Sequence, residues 1–223
     1  MTVSFGRAAW AIFKKDVRLE LRTRELITTA GFFAVLVCVL ASIAFFADQA
    51  TVPGAIWIPV SFASVLALSR TWQRERDDGA LTALMLAPIP RAAIFVGKAL
   101  GVFVFLLTVL LLVVPVVGLF FHIDLRVYAL GLLLIGVMGA IGIAAIGTLF
   151  GVITVRTRAR DLLLSVIVFP LMSPALITGI SAVTELLRGA ALLDLSDYFV
   201  LLGMYDLGAC AGGAALFGFL LDE

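Results

Sequence analysis

The sequence predicts an all-α fold, a bundle of six membrane-spanning helices with almost no soluble domain. Composition is the first reason: 63% of the 223 residues are hydrophobic and 14% are charged, whereas soluble domains contain about 45 to 50% apolar residues. The second reason is that the apolar residues form six stretches close to the ~20 residues that a helix needs to cross the hydrocarbon core. The third is that Lys and Arg cluster at alternate ends of these stretches.

The whole chain, residues 1–223, is predicted to be one membrane domain with short connections. Its spans are expected at about residues 26–47, 53–69, 99–121, 127–155, 162–183 and 198–221. The second is short, so we expect apolar residues before it to extend it or the helix to stand upright. Pro170 and Pro174 each remove a backbone donor from the fifth span, which predicts a kink or a break. Spans four and six are rich in Gly, which favours close packing within one chain over a contact between subunits.

An amphipathic helix is predicted ahead of the first span, at about residues 4–25. Its apolar stripe consists of four residues at helical spacing, Trp10, Phe13, Val17 and Leu21. Its basic stripe consists of Lys14, Arg18 and Arg22. Such a helix is expected to lie in the membrane interface, with its cations near anionic headgroups, and to meet the first span at an elbow. Plain anchoring to membrane lipid is favoured over a more specific role.

The positions of Lys and Arg predict the topology. The segment before the first span has six of them, the connection after the second has five including Lys98, and the connection after the fourth has three. The opposite side has only Arg126 and Arg188. Because basic connections stay in the cytoplasm, both termini are predicted to be cytoplasmic.

The connection between spans two and three is predicted to hold a short cytoplasmic helix. Asp78 is suited to cap its start, with acidic residues near that end, and Pro88 with Pro90 ends it. Its apolar residues on one face need a partner or the lipid surface, since they would otherwise be exposed. Gly79 leaves room for that partner's close approach. We therefore assign a coupling role to Glu75, Asp77, Asp78, Gly79, Leu81, Leu84 and Met85.

Five segments of the sequence resemble the CcmB family of heme exporter B proteins, within the ABC-2 class of exporter permeases. They are Lys15 to Glu25, Pro53 to Trp57, Arg74 to Arg91, Ile94 to Lys98 and Phe169 to Ile177. The Glu-Arg-Asp-x-Gly-Ala-Leu pattern of the third segment is the most diagnostic. The resemblance covers nearly the whole chain.

This resemblance implies the membrane subunit of an ABC-type complex in the bacterial inner membrane, acting in heme delivery for cytochrome c biogenesis. ATP would bind the partner ATPase CcmA, and the other expected partners are CcmC, CcmD, the heme chaperone CcmE and a second copy of this chain. The chain itself has no GxxxxGK[ST] motif. Two uses of ATP stay open: export of heme as cargo, or release of loaded CcmE. The alternatives are a non-transporting scaffold and a permease for another substrate.

A few isolated residues invite other interpretations. His122 is the only histidine, and a solvated position in an outer loop is favoured over an axial heme ligand. Asp206 lies inside the sixth span, where a structural group is favoured over a proton relay. Cys38 and Cys210 have no ligand spacing, so packing is favoured. The sequence therefore predicts no catalytic residue, no metal site, no directly bound cofactor and no nucleic-acid partner.

Overall fold

The computed structural model describes residues 4–77, 84, 86–154 and 160–222. Within these residues the chain forms seven α-helices and a single 3-10 turn at Gln49–Thr51, without strands. The helices are α1 (Phe5–Thr23), α2 (Glu25–Ala44), α3 (Val52–Asp77), α4 (Arg91–Phe120), α5 (Leu125–Thr154), α6 (Arg160–Leu187) and α7 (Ser196–Asp222). The helices α2 to α7 are each long and apolar enough to cross a membrane. The predicted fold class, a helical bundle with six spans, is confirmed.

The helix α3 extends well beyond the predicted second span. Hydropathy placed the end of that span at about residue 69, but the helix continues to Asp77 and has 26 residues in all. Its last two turns are polar, which is why an apolar window misses them. Glu75 therefore belongs to the end of α3 and not to the connection that follows.

The amphipathic helix α1 turns sharply into the first span at Arg24. This residue has a left-handed backbone, with φ of 54°, and belongs to neither helix. One Glu20 carboxylate oxygen accepts hydrogen bonds from the backbone N–H groups of Leu26 and Ile27, at 2.9 and 3.0 Å. Those donors have no partner within α2, because they lie in its first turn. The predicted elbow is thus present and is capped by a side chain of α1.

Large side chains packed against glycines hold the spans together. The indole of Trp57 on α3 lies between Gly139 of α5 and Gly179 of α6. A Cβ added to Gly139 would lie 2.4 Å from the ring, and one added to Gly179 would lie 2.3 Å from it. The same arrangement recurs in Leu68 against Gly147 and Trp72 against Gly151. The glycines of the predicted fourth span therefore pack within this chain, because only a glycine lets the ring or branch of a neighbour approach so closely.

The helix α6 continues through Pro170 and Pro174, so the predicted break is absent, and the alternative, a kink, stays a prediction. Pro174 cannot donate to the carbonyl of Pro170. The hydroxyl of Ser173 donates to that oxygen instead, at 2.6 Å. The next carbonyl, that of Leu171, accepts a 2.8 Å hydrogen bond from the hydroxyl of Tyr205 on α7. The Ser173 hydroxyl thus replaces the missing backbone donor, as membrane helices with proline require, and the Tyr205 hydrogen bond joins α7 to this part of α6.

A second proline explains the position of Cys38. Pro59 inside α3 leaves the carbonyl of Ala55 without its usual helical donor. The Cys38 side chain is fully buried, and its Sγ lies 3.6 Å from that oxygen. A thiol is a weak donor, so Cys38 packs as a small apolar residue and also satisfies part of this carbonyl.

Candidate functional site

The site begins with a close approach of α1 to α4. Gly97 and Gly101 lie one turn apart on α4, and a Cβ on Gly97 would come 2.7 Å from the carbonyl oxygen of Ala9 and 2.8 Å from Cβ of Ile12. A Cβ on Gly101 would come 3.6 Å from Cβ of Asp16. The two glycines therefore form a shallow groove in which the backbone of α1 rests. This contact brings the charged middle of α1 beside Lys98.

Four charged side chains from three helices meet at this point and form what we call the ion cluster: Lys15, Asp16, Glu75 and Lys98. The ammonium of Lys98 lies 2.9 Å from Asp16 Oδ2 and also donates to Glu75 Oε1. Lys15 donates to the same oxygen of Glu75 and lies 3.4 Å from Asp16 Oδ1. The two positive charges thus balance the two negative charges, and ion pairs connect each of the three helices to another.

The inner pair of the ion cluster is withdrawn from water. The exposed fraction is 1% for the side chain of Lys98 and 3% for that of Glu75, against 46% for Lys15. Burial raises the pKa of Glu75, but Lys98 and Lys15 outweigh it and hold the pKa below its ordinary value. For Lys15, burial lowers the pKa, and its bonds with Glu75 and Asp16 raise it above the ordinary value. Both shifts favour the charged forms.

An apolar layer covers the ion cluster. The ammonium of Lys98 lies 5.8 Å from the ring centroid of Trp72, close enough for a cation–π contact. Trp72 belongs to a buried apolar group that also contains Phe95 and Phe217, whose ring centroids are 5.7 Å apart. The layer keeps water away, which strengthens the attraction between the charges.

The predicted coupling residues separate into three groups. Glu75 is buried in the ion cluster, and Asp77 is the last residue of α3. Leu84 is half-buried against the apolar layer, so the chain itself supplies part of its cover, and its coupling role stays a prediction. The remaining coupling residues, Asp78, Gly79, Leu81 and Met85, lie outside the described residues.

Neither predicted stripe of α1 forms the face that rests on α4. Trp10 is 59% exposed and stacks at 5.1 Å on Phe13, whereas Ala8, Ala9 and Ile12 form the face that packs on the bundle. The basic residues Lys14, Arg18 and Arg22 are exposed. They line the mouth of a cavity of about 690 Å³ that lies between α1 and the spans.

The other candidates do not belong to the ion cluster. Asp206 is 8% exposed on α7, and its Oδ1 would be 2.5 Å from a Cβ placed on Gly142. His122 is exposed beyond the end of α4, with a left-handed φ of 55°. Cys210 is exposed on the outside of α7. Among the residues that the structure describes, no group of His, Cys, Asp and Glu is arranged to hold a metal ion.

Sequence reasoning missed three of the four residues of the ion cluster, Lys15, Asp16 and Lys98, although all three lie in segments that carry the family resemblance. The available signal was the Gly97-x-x-x-Gly101 spacing around Lys98, which is typical of a close helix contact. No sequence pattern predicts that residues so far apart in the chain lie at the same level along three neighbouring helices.

Comparison with known proteins agrees with this architecture. The family model described as "CcmB protein" matches residues 7–218. The chain is 31% identical to "Heme exporter protein B" of Paracoccus denitrificans, over 90% of this chain and 92% of that protein. The proteins of the same name from Bradyrhizobium diazoefficiens and Pseudomonas aeruginosa are 27% and 28% identical, each over 80% of this chain and more than four fifths of their own length. This multi-pass membrane protein belongs to the CcmB family.

Proposed function

We propose that this protein is the membrane subunit of an ATP-driven complex that delivers heme for cytochrome c biogenesis in the bacterial inner membrane. The names of its relatives, "Heme exporter protein B", support heme as the cargo. The six apolar spans and the lack of a P-loop motif support a non-catalytic permease that depends on ATP bound by another subunit. CcmA is the proposed ATPase, with CcmC, CcmD, the chaperone CcmE and a second copy of this chain as further partners.

The observation that carries this proposal is the bridge that Lys98 makes between Asp16 and Glu75. Glu75 lies in the last turn of α3 and Lys98 lies near the start of α4, so they flank the segment at residues 78–90, where we place the contact with the ATPase. A displacement of that segment moves the ends of both helices. Because Asp16 belongs to α1, the same displacement also pulls on the amphipathic helix.

The positions of the basic residues support the orientation that this mechanism needs. With both termini in the cytoplasm, the ion cluster and the segment at residues 78–90 face the compartment that contains ATP. The end with His122 and Asp48 then faces outward, where the heme chaperone would receive its cargo. Nothing in this arrangement requires the chain to bind ATP itself.

The experiment compares heme transfer to the chaperone, with and without ATP, in the purified complex. The test variant combines Glu75→Gln with Lys98→Met, which keeps the charges balanced because Lys15 and Asp16 remain as a pair. We expect this variant to hydrolyse ATP but to transfer heme only at the rate seen without ATP. The control is Arg7→Met, which removes an exposed cation of α1 away from the ion cluster.

Two outcomes contradict the proposal. If the double variant transfers heme with ATP as well as the control does, the ion cluster does not couple the ATPase to the spans. If an inactive ATPase leaves both complex assembly and heme transfer unchanged in the unmodified protein, the chain is a scaffold.

A further inference from the structure

A cavity lies beneath the second half of α1. Its volume is about 690 Å³, and its lining comes from α1, from the start of α2 and from the neighbouring parts of α3 and α4. The first half of α1 rests on Gly97, but farther along, from Val17 to Arg22, the helix lines open space. The elbow at Arg24 then returns the chain to the bundle. The cavity is therefore built into the way the amphipathic helix meets the spans.

The mouth of the cavity carries a row of three cations. Lys14, Arg18 and Arg22 follow one another at intervals of four residues, so they lie in one row on α1. Within the described residues none of the three makes an ion pair. The three acidic residues of the lining are engaged elsewhere: Asp16 and Glu75 in the ion cluster and Glu20 at the start of α2.

The deeper wall of the cavity is apolar. It consists of Leu26, Ile27, Val102, Val104 and Phe105. None of the lining residues that the structure describes is His, Cys, Met or Tyr, so the wall offers no usual ligand for heme iron. A row of cations above an apolar wall, at the end of membrane-spanning helices, matches an amphiphile with an anionic head and a hydrocarbon chain.

We propose that this cavity binds one anionic phospholipid of the surrounding bilayer. Its phosphate lies along the row of Lys14, Arg18 and Arg22, and one acyl chain descends between α2 and α4. The bound lipid then fills the space that separates the second half of α1 from the spans. Lipid binding at this site requires neither ATP nor heme, so a test of it can fail without contradicting the proposed function.

The test titrates the purified full-length protein with phosphatidylglycerol or phosphatidylcholine and counts the bound lipids by native mass spectrometry. We expect one tight, saturable phosphatidylglycerol site. Each change of Lys14, Arg18 or Arg22 to Gln should weaken it about fivefold, the effect of one cation near an anionic headgroup. Arg7→Gln is the matched control, since Arg7 is also exposed on α1 but does not line the cavity.

A second pair of variants tests the acyl chain. Val104→Trp should fill the apolar wall and abolish the tight site, whereas Leu111→Trp, two turns farther along α4 and 63% exposed, should leave it intact. If Arg7→Gln and Arg18→Gln weakened phosphatidylglycerol binding equally, the binding would reflect the overall positive charge of α1 and not a site in the cavity. Equally tight phosphatidylcholine, unchanged binding in Val104→Trp, or one-for-one displacement of the lipid by heme would each overturn the proposal.

Discussion

The two ends of α3 are held in place by different physics. Near its start, Trp57 fills a space between Gly139 and Gly179, so the contact is apolar and depends on shape. Near its end, Glu75 is held by Lys98 and Lys15, so the contact depends on charge. Close packing tolerates no rearrangement without a void or a clash, whereas an ion pair changes strength with protonation, hydration and the approach of other charges. The charged end is therefore the part of the bundle suited to respond to a partner.

Removing Lys98 alone should have the largest effect on stability. Lys98→Met leaves Glu75 and Asp16 close together with only Lys15 between them, and an uncompensated buried charge costs about 3 to 5 kcal/mol. The double variant with Glu75→Gln should recover about 1 to 3 kcal/mol of this loss, because the two residues interact directly. Denaturant unfolding of the single and double variants in detergent measures both values. A single variant no less stable than Arg7→Met would show that the ion cluster adds nothing to stability.

The apolar end should respond almost as strongly to an added side chain. A Cβ at Gly179 would lie 2.3 Å from the ring of Trp57, which is 1% exposed and has no free space to move into. Gly179→Leu should therefore cost about 3 kcal/mol through overpacking. Gly208→Leu is the control, since nothing lies within 4 Å of a Cβ there. Equal thermal stability of the two variants would mean that Trp57 does not hold the helices together.

The two ends also differ in how much of them sequence alone could predict. Hydropathy is summed over about 20 residues, so the prediction of the six spans does not depend on any single residue. The predicted second span stopped early because the last turns of α3 carry Arg70 and Glu75. Each of these two residues meets a partner on another element: Arg70 lies 2.9 Å from Glu25, and Glu75 meets Lys98. Such pairings depend on the relative heights of helices, which no local pattern contains.

The pairing of large residues with glycines could be predicted only in part, less well than the six spans but better than the ion pairs. The glycines of the fourth span indicated close packing, but not which residue would enter each space. Gly208 and Gly139 look equivalent in sequence, yet the first is open and the second accepts Trp57. The difference is set by the rotation of each helix about its axis, and a helix that is apolar on all sides has no amphipathic signal to define it.

Stability should depend on pH at the charged end and not at the apolar end. The pKa of Glu75 lies below its ordinary value of 4.5, so its contribution is present above pH 4.5 and is lost as the pH falls through the lowered pKa. The pKa of Lys15 lies above its ordinary value of 10.5, so its contribution is present below pH 10.5 and is lost as the pH rises through the raised pKa.

Thermal unfolding across the pH range tests this difference directly. The unmodified protein should exceed Glu75→Gln in melting temperature by a constant margin between about pH 5 and pH 10, and the margin should narrow in acid below about pH 4.5. The deficit of Gly179→Leu should stay the same throughout, since Trp57 carries no titratable group. A margin for Glu75→Gln that persists unchanged in strong acid would contradict the assignment of Glu75 to a charged pair.

The smallest change in stability is expected at the C-terminal end of α4, and there the substitution should stabilise the protein. His122 has a left-handed backbone just after the helix, and the next residue, Ile123, donates its N–H to the carbonyl of Gly118 at 3.0 Å. This is the Schellman arrangement, in which glycine is preferred at the position of His122. His122→Gly should therefore stabilise the protein by about 0.5 to 1 kcal/mol, whereas Leu119→Gly, inside the helix, should destabilise it by a similar amount. Because His122 is exposed and serves the end of a helix, cytochrome c maturation should continue in His122→Gly. Loss of maturation at normal protein levels would instead make its imidazole a functional group, and heme binding by the isolated subunit would then be the measurement to make.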